Sequence, residues 1–313
     1  MSRYVKYIID QVRRETENED SADFVGISDA EFIQYLNDAQ YNIQSQIVAL
    51  HPDVFVVEKD FSIAESDGDF LIPSDSFLGN KLIAVKYSST GNDDDLYNLR
   101  ETSLSRMQKT PNGDPAYYTV IRSGGVGRIK LTPSPSSVGK LKIYYVQRLR
   151  ELDLRRGQVG AVTISTSTIS ALNIDLAKNS DIDSLNEHNH ICIIDEEGNK
   201  KAENIKIDSI NSSTGAITVN SSFALASSET IAVGDYIVGG KYTTTAPDID
   251  PSVERYLIAY CAWKILKRDS SIDSTEAAQE LSMMAQDIIK SYSLISEDVQ
   301  YIPEINESED WLI

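Results

Sequence analysis

The sequence predicts an α+β fold: an antiparallel helical bundle built from N- and C-terminal helix pairs, carrying a β-sheet or barrel region and an additional inserted β module. Three observations lead there. Apolar residues recur at helical spacing near both ends of the chain. The middle breaks into short β-branched and aromatic runs separated by turn residues. Finally, 41% hydrophobic against 25% charged residues over 313 positions is too apolar for a disordered chain.

Residues 3–16 read as the first helix. Tyr4, Ile8 and Val12 fall four apart with Val5 and Ile9 beside them, and Arg3, Lys6, Arg13 and Arg14 mark the wet side. After an acidic loop at 17–23, Ser28 and Glu31 form a capping box, in which hydroxyl and carboxylate each satisfy an orphan backbone N–H. Phe32, Leu36, Ala39, Ile43, Ile47 and Leu50 follow at spacings of four and three. His51-Pro52 ends the helix, because the residue before proline is pushed out of helical geometry.

From 53 to 149 the texture is β. Strands are expected near 54–63, 69–72, 81–87, 96–99, 116–122, 128–131 and 140–148, as an antiparallel sheet or small barrel, with a short helix over 101–109. Turn signals separate them, among them Ser66-Asp67-Gly68, Thr90-Gly91-Asn92 and Gly124-Gly125. A second β-rich stretch, 151–240, has expected strands at 161–165, 190–194, 205–210, 216–219 and 236–239. Hairpin turns are expected at 195–198 and 212–215, and 173–187 is ambiguous.

Helices return after 241. Asp250-Pro251 is an N-cap followed by proline in the first turn, where its missing N–H costs nothing. Leu257, Cys261 and Ile265, flanked by Ile258 and Ala262, give one buried face. Asp273 with Glu276 is a second capping box, and Ala277, Leu281, Ala285, Ile288 and Tyr292 give the last stripe. A lone helical hairpin buries its stripe poorly, so the two pairs are expected to pack as one four-helix layer with the β regions as insertions. The expected organisation is a core of 1–149 with 241–296, a module at 151–240, and an acidic tail at 297–313.

Charge narrows the function. With 29 basic and 48 acidic residues the chain carries −19, which argues against a protein whose main task is gripping nucleic acid. It leaves room for one that DNA slides past. Cys192 and Cys261 are far apart and make no disulfide framework, so a reduced compartment is expected. The start, Met1-Ser2-Arg3-Tyr4, lacks a signal peptide's apolar stretch, and no apolar run spans a membrane.

No catalytic constellation stands out, and no cofactor is expected. His188, His190 and Cys192 alternate as on one strand face and could offer three metal ligands; an ordinary strand with Cys192 as a small core residue is the bland alternative. Gly124-Gly125-Val126-Gly127 lacks a following Gly-Lys-Ser/Thr and reads as a hairpin turn. Lys140, Lys142, Arg148, Arg150, Arg155 and Arg156 form a basic cluster. It is either a solvated strand edge that deters mispairing or a contact for an acidic neighbour subunit. In the tail, Tyr301, Ile302, Ile305, Trp311, Leu312 and Ile313 sit among six acids, a composition suited to a segment that orders on a partner.

Several stretches resemble the head-to-tail adaptor (connector) proteins of tailed bacteriophages. At the start they are Tyr7-Ile8-Ile9-Asp10-Gln11-Val12-Arg13-Arg14-Glu15 and the helix from Ile27-Ser28-Asp29-Ala30-Glu31 to Asp38-Ala39-Gln40. Phe70-Leu71-Ile72-Pro73-Ser74-Asp75, Pro115-Ala116-Tyr117-Tyr118, Ile129-Lys130-Leu131-Thr132-Pro133-Ser134-Pro135 and Ile143-Tyr144-Tyr145 carry it through the middle. Val253-Glu254-Arg255-Tyr256-Leu257-Ile258-Ala259-Tyr260 carries it at the end. The likeness covers about 1–149 and 241–295; the stretch 151–240 lies outside it. It implies a structural protein of the virion neck, not an enzyme, present in host cytoplasm during assembly. Such a protein would form a homo-oligomeric ring, a dodecamer in similar proteins, under the portal protein. The ring would extend the channel through which genomic DNA passes transiently and offer a platform to tail tube, nozzle or other tail ring proteins, with no membrane contact. The alternative is a tail or receptor-binding module whose β domain at 151–240 contacts fibre proteins or glycans.

Overall fold

The computed structural model describes residues 4–16, 27–65, 67–76, 82–104, 112–123, 126–178, 181–226, 228–268 and 275–297. Within them the fold is mixed α+β. Helices α1 (Val5–Glu15) and α2 (Asp29–Leu50) open the chain, and α4 (Glu254–Leu266) and α5 (Thr275–Glu297) close it; α3 (Ile182–Asn186) is a short helix between strands.

The helix ends follow local chemistry. The Ser28 hydroxyl accepts from Glu31 N and the Glu31 carboxylate accepts from Ser28 N, completing the capping box, and His51 caps the other end before Pro52. Asp250 accepts from Ser252 N at 2.8 Å and starts a 3₁₀ turn, Pro251–Val253, that leads into α4. Asp273 of the second expected capping box lies outside the described residues. Val5, Ile8, Ile9 and Val12 of α1, Phe32, Leu36, Ala39, Ile43 and Ile47 of α2, Tyr256, Leu257, Cys261 and Ile265 of α4, and Leu281 and Ala285 of α5 lie in one apolar cluster. Leu149, Leu152, Ile249 and Val253, from the segments that enter and leave the β module, complete it.

The first β region differs from the single sheet or barrel expected. Strands β1 (Val56–Ile63), β2 (Asp69–Leu71), β3 (Leu82–Ser88), β4 (Tyr97–Asn98), β5 (Arg100–Glu101), β6 (Tyr117–Ser123), β7 (Val126–Thr132) and β8 (Gly139–Val146) form two four-stranded sheets. Their orders are β1-β8-β3-β4 and β2-β7-β6-β5. Ile63, Val85, Tyr87, Leu141 and Ile143 of one sheet share a core with Phe70, Tyr118, Ile129 and Leu131 of the other. Alternation along each strand gives both sheets one apolar face, and stacking those faces hides both without closing a barrel. Glu101 lies in β5, paired parallel to β6, where the start of a helix was expected; 105–111 lie outside the described residues.

The barrel belongs to the second β region. After β9 (Glu151–Leu152) come β10 (Gly157–Ser165), β11 (Thr168–Ile174), β12 (His190–Ile194), β13 (Lys200–Ile210), β14 (Ala216–Val219) and β15 (Tyr236–Gly239). These six close as β10-β11-β14-β13-β12-β15, with Gly157 opposite Ile237 completing the ring. The core holds Val159, Leu172, Ile191, Ile193, Ile205 and Ile237, and Ile182 and Leu185 of α3 join it. Within the ambiguous stretch 173–187, the described residues include the end of β11 and helix α3, which packs into the barrel core. Gly215 turns β13 into β14 at φ +72°, and a Cβ there would meet Ile174 O at 2.6 Å, so this turn requires glycine. After the barrel, β16 (Thr243–Thr244) lies parallel to β9, pairing Thr243 with Glu151 and Thr244 with Leu152. The chain's entry to the module and its exit run side by side.

Candidate functional site at the junction of helices and barrel

The short β9–β16 ribbon is clamped from one side by α2. Asn37, Gln40 and Gln44, at helical spacings of three and four, point a polar ladder at the incoming segment. Gln44 Nε2 donates to Gln147 O at 2.8 Å, Gln40 Nε2 to Arg150 O at 2.9 Å, and Asn37 Nδ2 to Leu152 O at 3.0 Å. In return Leu152 N donates to Asn37 Oδ1 at 2.7 Å and Leu149 N to Gln44 Oε1. Gln40 and Gln44 are fully buried, so these amides stand in for the neighbouring strand the segment lacks. Spacing alone marks Asn37 and Gln44 as one face, seven apart, but an amide in an amphipathic helix reads as solvated until its partner is known.

The basic residues expected to form one cluster separate into two groups. Lys140 and Lys142 lie on β8, which is flanked by β1 and β3, so they do not guard a strand edge. Lys140 Nζ pairs with Asp60 at 2.8 Å and Asp93 at 2.6 Å; Lys142 lies 3.5 Å from Glu58 and 3.7 Å from Asp60. The Lys140 hydrogen bond holds the Asp93 carboxyl below its ordinary range.

The four arginines gather at the junction, each with a partner in the same chain. Arg148 pairs with Glu151 and lies over the Tyr41 ring. Arg150 forks onto Asp248, with both nitrogen–oxygen distances 2.6 Å. Arg155 is stacked between Tyr4, 4.2 Å from the ring centroid, and Tyr236, at 3.8 Å, and donates to Glu196 O at 2.6 Å. Arg156 bridges Asp153 and Asp181, both at 2.6 Å, while Asp153 accepts from Gly239 N at 3.1 Å. Tyr4, expected on the α1 stripe, is instead that helix's N-cap, with its ring on Arg155. These contacts tie the start of α1, the ribbon and the barrel wall into one unit.

His188, His190 and Cys192 do not share a strand. β12 begins at His190, and His188 sits in the turn after α3, its N–H donating to Leu185 O. Cys192 packs with Ile194 and Val238, its Sγ donating to Lys241 O at 3.0 Å. Among the described residues no group of three or more His, Cys, Asp or Glu side chains is placed to hold a metal ion. Burial pushes the Cys192 thiol up to about 11 and raises Cys261 as well. Near pH 8 only roughly one Cys192 in a thousand is then thiolate. In the native chain neither cysteine is expected to react with a disulfide reagent on a timescale of minutes, whereas both titrate at once in denaturant. A fast native reaction at either position contradicts this packing.

The tail positions Tyr301, Ile302, Ile305, Trp311, Leu312 and Ile313 lie outside the described residues. Among those described, no helix is long and apolar enough to cross a membrane. No protein-family model matches the chain, and no curated protein is similar to it at a significant level.

Proposed function

We propose that the protein is a head-to-tail adaptor of a tailed-bacteriophage virion. It would form a homo-oligomeric ring that docks under the portal protein, extends the DNA channel and carries tail components. In this reading the N- and C-terminal helix pairs act as one antiparallel bundle, the ring-building scaffold, and the β-sandwich and barrel project from it. The observation that supports it best is the apolar cluster shared by residues as distant as Val5 and Ala285, from which both β regions depart as insertions. The charge of −19 fits a lumen that repels DNA phosphates and lets the genome pass. In this reading residues 297–313 anchor the ring to the portal.

The mass of the purified chain is to be measured by light scattering, alone and mixed with portal rings. The expected result is a discrete ring species, alone or on the portal. A chain ending at 296 is expected to keep its fold and lose portal binding. A chain that stays monomeric and does not bind portal removes the adaptor reading. The closed barrel, a module with a core of its own, then favours the second reading, a tail or receptor-binding component tested by glycan and fibre binding.

A further inference from the structure

A cleft of about 490 Å³ opens where the first turn of α1 meets the barrel wall, and Tyr4, Lys6, Arg155, Lys178, Tyr236 and Thr245 line it. Its acids are already engaged: Asp29 is paired to Arg13 at 2.5 Å and Asp153 to Arg156 at 2.6 Å. Its lysines are not. Lys6 and Lys178 are exposed and make no ion pair among the described residues. Two polar atoms in the walls also lack a partner: Arg155 Nε, and the hydroxyl of Thr245, a residue only 2% exposed. Buried donors without acceptors are rare in folded proteins and point to a group that completes them. The two exposed ammonium groups and the Arg155 guanidinium favour a ligand whose acceptors carry negative charge, in a chain whose net charge is strongly negative.

We infer that this cleft binds the acidic C-terminal segment of the chain, residues 298–313, through its carboxylates. That segment has five acids and no Lys or Arg, and it brings Tyr301 and Trp311 to a cleft walled by two tyrosines. It follows α5, whose Leu281 and Ala285 share an apolar cluster with Val5, a residue that lines the cleft. Sixteen extended residues reach about 50 Å, enough to enter the cleft of the same chain or of a second copy. The inference concerns the isolated chain and does not rest on the adaptor reading.

Zero-length carbodiimide coupling of the full chain, followed by peptide mass spectrometry, tests it. Lys6 or Lys178 is expected to couple to Asp298, Glu304, Glu307, Glu309 or Asp310, in preference to other exposed lysines. Coupling of Lys140 to Asp60 or Asp93 in the same reaction is the positive control. Mixing heavy- and light-isotope chains shows whether the segment comes from the same chain or another copy; either supports the contact. At about 1 M salt, where the screening length is about 3 Å, the yield is expected to fall several-fold. The paired substitutions Lys6→Glu and Lys178→Glu, both at exposed positions, are expected to speed Glu-specific cleavage within 298–313 several-fold. Control coupling without any tail coupling at Lys6 or Lys178, or tail coupling spread evenly over all lysines, overturns the inference.

Discussion

Replacing Arg156 by alanine is expected to destabilise the protein by about 3 kcal/mol, the typical loss when one partner of a buried ion pair is removed. The guanidinium donates to Asp153 through Nε and Nη2 and to Asp181 through Nη1. Asp153 is 6% exposed. Without Arg156 its carboxylate keeps only the Gly239 N–H, and a buried charge with one hydrogen bond is costly. The contrast is Arg128→Ala on β7, whose pair with Asp69 is half-exposed on both sides and is expected to be worth less than about 1 kcal/mol. Arg156→Lys should recover only part of the loss, because a single ammonium nitrogen cannot reproduce the planar fork that meets Asp153 with Nε and Nη2 while Nη1 reaches Asp181. Urea unfolding with an unchanged slope gives the comparison. If Arg156→Ala and Arg128→Ala lower the midpoint equally, the junction is far wetter than its geometry indicates.

Leu36→Ala is expected to cost about 3 kcal/mol by opening a cavity in the helical core, where Leu36 is fully buried. The distribution of the effect matters more than its size. Leu36 shares its cluster with Leu257 and Leu281, so hydrogen exchange should quicken in α1, α2, α4 and α5 together. The matching change in the barrel, Ile193→Ala, removes a methylene and two methyl groups from a separate core and should act mainly on 157–239. Exchange that quickens after Leu36→Ala in residues 5–50 alone would mean that the two ends of the chain do not unfold as one unit. The scaffold on which the adaptor reading depends would then be lost.

Much of the local structure was legible because it follows from short-range chemistry. The Ser28–Glu31 capping box and the stop at His51-Pro52 involve neighbours along the chain. The turn at 212–215 needs a positive φ that Gly215 supplies. The two-residue strands β9 and β16 are not legible in the sequence because each is the other's pairing partner and the whole barrel lies between them in the chain. The first β region reads as a sheet or a small barrel and the second is assigned no closed form, for a related reason. Both β regions present short alternating runs with turn residues between them. Only the pairing of β10 with β15, nearly eighty residues apart, distinguishes a closed ring from stacked sheets.

The candidate site divides the same way. A sequence read alone singles out Arg148, Arg150, Arg155 and Arg156 as a basic run but not what they hold, and it passes over Asn37, Gln40 and Gln44 altogether. Polar side chains are ambiguous in one dimension, since the same amide serves solvent or a buried strand. Apolar side chains carry their destination with them, because water excludes them wherever they sit along the chain. The residues therefore determined an α+β protein with helices near both ends and strands between. Which strands close on which, and which charges meet at the junction, was decided by the tertiary structure alone, because hydrogen bonds and ion pairs take their partners from position in space and not from neighbours in the chain.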